Sequence, residues 1–194
     1  MQTENLSKLI DKIQRLQCEM QTIELKAANK GCPSRLYDTL SAFANQDEGG
    51  IIVFGIDESK NFAAVGVYDA QDLQKKVTEQ CNQMSPVVRA LFTVCEIDDK
   101  VIVSAEIPGI DVSERPCFYR GAGRLRGAYI RVGDADEPMS EYEVYSYDAF
   151  RKRIRDDIRE ASGARRSFFD AEKLANFLQA VKKDRKHLAM HVSD

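Results

Sequence analysis

The sequence predicts an α+β domain, α/β-like in its alternation, with a mixed β-sheet flanked by helices and a C-terminal helical extension. Three observations predict it. Helical and strand-like apolar periods alternate over residues 1–150. The run Ile51-Ile52-Val53-Phe54-Gly55-Ile56 is apolar without alternation, the pattern of a strand buried on both faces at a sheet centre. Residues 151–194 then turn to a strongly charged helical pattern.

Leu6, Leu9, Ile10, Ile13 and Leu16 recur at helical spacing and predict an amphipathic helix over 4–18. Thr22-Ile23-Glu24-Leu25-Lys26-Ala27 alternates, a short strand with Glu24 and Lys26 on one face, where paired charges are ordinarily solvated. Pro33 and Ser34 open a second helix with Leu36, Leu40, Phe43 and Ala44 on its buried side. It stops at Gly49-Gly50, because a chain that leaves a helix and turns directly into a buried strand needs backbone that only glycine supplies. Asp69 and Asp72 cap a third helix carrying Leu73 and Val77 and ending at Ser85-Pro86. Strands over 88–97 and 100–107 follow, joined by a tight turn at Asp98-Asp99. Gly121, Gly123 and Gly127 loosen the stretch before a strand over 128–133, so this segment reads as a surface hairpin or a binding loop. Ser140 and Glu143 match a capping box and start another helix. Gly163 breaks it, and a last helix spans 168–186.

At 194 residues and 43% hydrophobic, the chain suffices for one core plus an appendage. Five Cys without a C-x-x-C pair argue for reduced thiols rather than a disulfide framework or zinc knuckle. No apolar run reaches the roughly 20 residues of a membrane helix, and the N-terminus lacks a signal-peptide profile. A cytoplasmic protein with no membrane partner is expected. The only histidines, His187 and His191, lie near the C-terminal end, which disfavours a Ser-His-Asp or Cys-His centre in the core, and no third metal ligand accompanies them. Neither a Walker sequence nor G-x-G-x-x-G is present.

Two kinds of chemistry remain. Net charge is −3, yet Arg115, Arg120, Arg124, Arg126 and Arg131 fall in one segment without an intervening acid, interleaved with Phe118, Tyr119 and Tyr129. Guanidinium groups pair phosphates and aromatic rings stack on bases, so this segment, with Lys26, is a candidate nucleic-acid surface. Separately, Glu19, Glu24 and the Asp57-Glu58 pair converge at one sheet end if the first strand lies beside the central one. Such carboxylates hold Mg²⁺ or Mn²⁺ for phosphodiester hydrolysis, with Glu19, Glu24 and Asp57 as the ligand set.

Several short pieces in order complete the picture: Glu24-Leu25-Lys26, Ser41-Ala42-Phe43-Ala44-Asn45 followed by Gly49-Gly50, Val53-Phe54-Gly55-Ile56-Asp57-Glu58, Val65-Gly66-Val67, Pro86, Pro116-Cys117-Phe118-Tyr119 and Gly127 to Gly133. In order and spacing over roughly residues 19–150 the chain resembles the Schlafen AlbA-like domain family of bacterial transcriptional regulators, also described as DNA-binding or divergent AAA-type domains. The resemblance implies a nucleic-acid-binding domain over 1–150, with 151–194 as a helical extension opening a further region of a longer regulator. It also implies catalytic counterparts in Glu19, Glu24 and Glu58 should the chain act like the animal Schlafen endoribonucleases, where two lobes pair; a homodimer would supply the second. A third alternative is a dimerisation or nucleotide-sensing module that binds ATP. Two departures stand out. Gln46-Asp47-Glu48 puts three residues where the family has two before Gly-Gly, and its carboxylates repel phosphate there. Glu58 stands where the nucleases carry Asp. Both leave the arginine segment as the expected contact for DNA or RNA.

Overall fold

The computed structural model describes residues 3–151 and 170–184. Helix α1 (Thr3–Leu16) leads to β1 (Ile23–Lys26), α2 (Tyr37–Ala44), β2 (Gly50–Phe54), β3 (Ile56–Asp57), β4 (Ala63–Ala64) and α3 (Ala70–Cys81). Then follow β5 (Met84–Ser85), β6 (Leu91–Ile97), β7 (Lys100–Ile107), β8 (Phe118–Tyr119), the one-turn α4 (Arg124–Gly127), β9 (Tyr129–Val132), β10 (Ala135–Pro138), α5 (Glu141–Arg151) and α6 (Ala171–Asp184). The last helix belongs to a separate unit from the body that ends at Ile154. His187 and His191 lie outside the described residues, as does the expected helix break at Gly163.

The main sheet has the order β1-β2-β7-β6 and is mixed: β1 runs parallel to β2, and the other pairs are antiparallel. A fully buried central strand needs apolar side chains on both faces, which explains why β2 shows no alternation. Its Ile52 and Phe54 join Leu36, Leu40 and Phe43 from the α2 side and Leu73 and Val77 of α3 in one core. Its Val53 packs on the opposite face with Leu6, Ile10 and Ile13 of α1. The α+β architecture expected from the sequence is therefore the one observed, with the sheet held between α1 and the α2–α3 pair.

Local signals hold in detail. Asp69 accepts a 2.7 Å bond from the Asp72 N–H at the start of α3, and Ser140 and Glu143 exchange capping bonds of 2.8 and 3.3 Å at α5. Asp98 and Asp99 both take positive φ, 49° and 57°, the twist that lets two residues join β6 to β7. Gly49 has φ +68°, and a Cβ there would stand 2.1 Å from the Ile107 carbonyl; at Gly50 it would meet the Phe43 ring at 2.4 Å. The turn is a steric necessity of packing α2 against the start of β2.

Three expectations need correction. The segment between Tyr119 and Tyr129 is not a simple hairpin: it holds the helical turn α4, and Tyr119 pairs with Met84 of β5. Strand β10 was not expected: the sequence predicted no strand after the one over 128–133. Glu24 is buried at 8% exposure rather than solvated.

Candidate functional site

Helix α2 is the strut on which the third layer hangs. Ser41 Oγ donates to the Cys117 carbonyl at 2.7 Å and accepts from the Tyr129 N–H at 2.8 Å. Asn45 donates to the Cys117 and Tyr129 carbonyls, both at 3.0 Å, and its Oδ1 accepts from the Cys117 N–H at 2.7 Å. Each buried backbone group so paired avoids the cost of an unmet hydrogen bond. The Ser41-to-Asn45 motif is thus the clamp that fixes β8 and β9 beside α2.

The clamp brings Tyr119 and Tyr129 to the start of α2, where Tyr37 stacks on Tyr119 with ring centroids 3.8 Å apart and planes 13° from parallel. Beside them opens a cavity of about 340 Å³, bordered by these three tyrosines together with Arg35, Asp38 and Arg126. Arg35 pairs with Asp38 at 3.1 Å and remains 68% exposed. Asp38 first and the Tyr129 hydroxyl after it hold the Arg35 guanidinium more firmly protonated than usual. The Tyr37 hydroxyl donates to Gln83 Oε1 at 3.1 Å, and Arg120 donates to the carbonyls of Gln83 and Asn82 beside it. An aromatic wall with three exposed arginines around it is a place for a flat ring bearing an anion.

The arginines of the sequence segment thus separate by role. Arg126 borders the cavity and Arg120 flanks it, both exposed. Arg124 gives Nη1 to Asp148 at 2.6 Å, with its Nε and Nη2 enclosed. Arg115 is 6% exposed, bonded to Asp47 at 2.7 Å and to the Ile110 carbonyl at 3.0 Å, so the acid-rich loop before Gly49 is used to hold an internal arginine. Arg131 is 4% exposed and lies 5.1 Å over the Phe43 ring. Neither Arg115 nor Arg131 faces solvent. Arg35, Tyr37 and Asp38 were not singled out in the sequence, since at the head of an amphipathic helix they read as ordinary surface residues; the one hint is Leu36 at the N-cap, which brings no capping side chain.

On the other side of β1, Arg131 explains the carboxylates. Its guanidinium bonds Glu24 at 2.9 Å, Asp136 at 2.8 Å and the Ile23 carbonyl at 3.2 Å, and stands 3.9 Å from Glu19. Lys26 pairs with the remaining oxygen of Glu24. Glu19 accepts from the Leu25 N–H at 2.8 Å, and its carboxyl is pushed up to about 7, first by burial and then by a hydrogen bond with the Glu58 carboxyl. Glu19 and Glu24 therefore gather around an internal cation, and Glu58 stands against Glu19. Asp57 turns away to Ser59, which it accepts from at 2.6 and 3.1 Å, and to Lys60 at 3.0 Å, contacts that lower its pKa in that order. Among the described residues no group of three His, Cys, Asp or Glu side chains is arranged to hold a metal ion. The five cysteines are free, and among the described residues no helix is long and apolar enough to cross a membrane.

A mixed four-stranded sheet between helices, with a clamped third layer that borders an aromatic and arginine-rimmed cavity, defines a small α+β domain. The chain belongs to the Schlafen, AlbA_2 family, whose model matches residues 19–140. Among solved structures it is similar to the N-terminal domain of an ATP-dependent DNA helicase RecG-related protein from Nitrosomonas europaea, at 26% identity and a TM-score of 0.53, covering 68% of this chain and 91% of that one. A crystal structure of the DIP2311 protein from Corynebacterium diphtheriae is matched at 15% identity and a TM-score of 0.49, over 93% of this chain and 35% of that one. No curated protein matches the sequence.

Proposed function

We propose that the chain is a nucleic-acid-binding module, the DNA-binding part of a transcriptional regulator, with residues 1–150 as the binding domain and 151–194 as the start of a further helical region. The observation that carries this reading is the group of exposed Arg35, Arg120 and Arg126 around the tyrosine-walled cavity. Membership of the family supports it, and so does the likeness to a domain whose parent protein is described as related to a DNA helicase. The contact surface is narrower than five arginines in a row suggest, because Arg115 and Arg131 are internal and Arg124 is ion-paired with two of its nitrogens enclosed. The endoribonuclease alternative is less well supported, since Glu19 and Glu24 are engaged with Arg131 and Lys26.

Three phosphate contacts give a modest salt dependence. The slope of log K against log salt is about −0.7 per contact for a single strand, hence about −2 here. Titrating a dye-labelled 12-mer by anisotropy at several salt concentrations measures it, and Arg126→Gln should reduce its magnitude by about 0.7. Affinity that ignores salt and survives loss of Arg35 and Arg126 together would overturn the reading. Light scattering of free and bound protein reads whether the module works as a homodimer.

A further inference from the structure

We propose that the cavity beside α2 takes one unpaired nucleotide of a nucleic-acid strand, with its base against the tyrosines and its phosphate on Arg35 and Arg126. The inference rests on the nucleic-acid reading above and adds to it the form of nucleic acid recognised.

Three observations carry it. The volume, about 340 Å³, lies at the small end of ligand pockets and suits a single nucleotide rather than a longer stacked run. Its walls are tyrosines from distant parts of the chain, and an aromatic wall gains most from a base whose faces are free. In a duplex those faces are covered by neighbouring pairs, leaving only phosphates and groove edges to be read. Finally, the electrostatic footprint is small. With Arg115 and Arg131 buried and a net charge of −3, contacts to phosphates alone provide little of the attraction that duplex binding by charge requires. Stacking is the compensating term, and it is tolerant of sequence because every base has a π-face.

The cavity is also held in shape before anything enters it. Tyr119 is paired through β8 to β5, Tyr129 hangs on Ser41 and Asn45, and Tyr37 is tied through its hydroxyl to Gln83. A wall fixed in this way loses little side-chain entropy on binding.

The test uses the full chain and three 12-mers of equal length: a single strand, a duplex, and a single strand whose central nucleotides are abasic, with free AMP as a fourth ligand. The single strand is expected to bind about 10-fold or more tighter than the duplex or the abasic strand, as loss of one or two stacked bases implies. Tyr37→Leu should weaken single-strand binding by about 5- to 100-fold while leaving the salt slope unchanged. The comparison among unmutated-protein complexes keeps the proposal falsifiable if Tyr37→Leu fails to fold. Equal affinity for all three 12-mers, still dependent on Arg126, would overturn the unpaired-base inference and leave nucleic-acid binding standing. No binding to any of them would overturn both. AMP bound as tightly as the single strand would also overturn the inference, by making the site one for free nucleotides.

Discussion

Replacing Glu19 by Gln is expected to stabilise the protein at pH 8 and to change little at pH 5. The Glu19 carboxyl is raised from 4.5 to about 7 by burial, by the hydrogen bond with Glu58 and by the nearby Glu24 charge, against the lowering effect of the Leu25 N–H. The folded state therefore holds this proton more tightly than the unfolded chain does. Between the two values the native protein binds more protons, so unfolding free energy falls as pH rises through that window, and the penalty is complete above the folded value. At ~1.36 kcal/mol per pKa unit, discounted for water that still reaches the carboxyl, the effect is about 1–2 kcal/mol. Gln keeps an oxygen that accepts from the Leu25 N–H, which Glu19 holds at 2.8 Å, and carries no charge. Urea unfolding followed by circular dichroism at pH 5, 6, 7 and 8 gives the difference directly. It should be near zero at the first pH and grow to about 1–2 kcal/mol in favour of Gln at the last. A difference that stays constant with pH, or a variant less stable than the parent at pH 8, would refute the reasoning.

Arg131→Met should cost about 3 kcal/mol, measured by the same unfolding experiment, because it leaves the half-buried Asp136 without its cation and the buried Glu24 with Lys26 alone. Asn45→Ala should cost about 2–3 kcal/mol, since it strands the Cys117 N–H and the Tyr129 carbonyl and leaves the Cys117 carbonyl to Ser41 alone. Gly50→Ala should lower the melting temperature sharply, because the added methyl meets the Phe43 ring at 2.4 Å in a closely packed core.

How much of this was legible in the sequence depended on the range over which each signal acts. The α3 cap at Asp69, the Asp98-Asp99 turn and the Ser140–Glu143 box are encoded within four residues, and they read directly. The unbroken apolar run of β2 told its position in the sheet for a similar reason: burial on both faces leaves no place for a polar residue. Strand β10 was hidden because Asp136 is held from two sides, by Arg131 on the neighbouring strand and by the Thr39 hydroxyl 97 residues away at 2.6 Å. The arginines failed as a group for the same physical reason. Whether a guanidinium points inward is decided by its acid, and Arg115 finds Asp47 68 residues away. The approach of Glu19 to Glu24 and Glu58 was foreseeable from strand adjacency, but the arginine that Glu19 and Glu24 share was not, since β9 is held beside α2 by the distant Ser41 and Asn45.

The chain contains seven tyrosines and no tryptophan. Three of those tyrosines wall the cavity. Its ultraviolet emission is thus tyrosine emission alone, and nearly half of its fluorophores stand at the place where a ligand would sit. Filling the cavity would accordingly alter the protein's own light, with up to three of seven tyrosines quenched and no introduced probe needed.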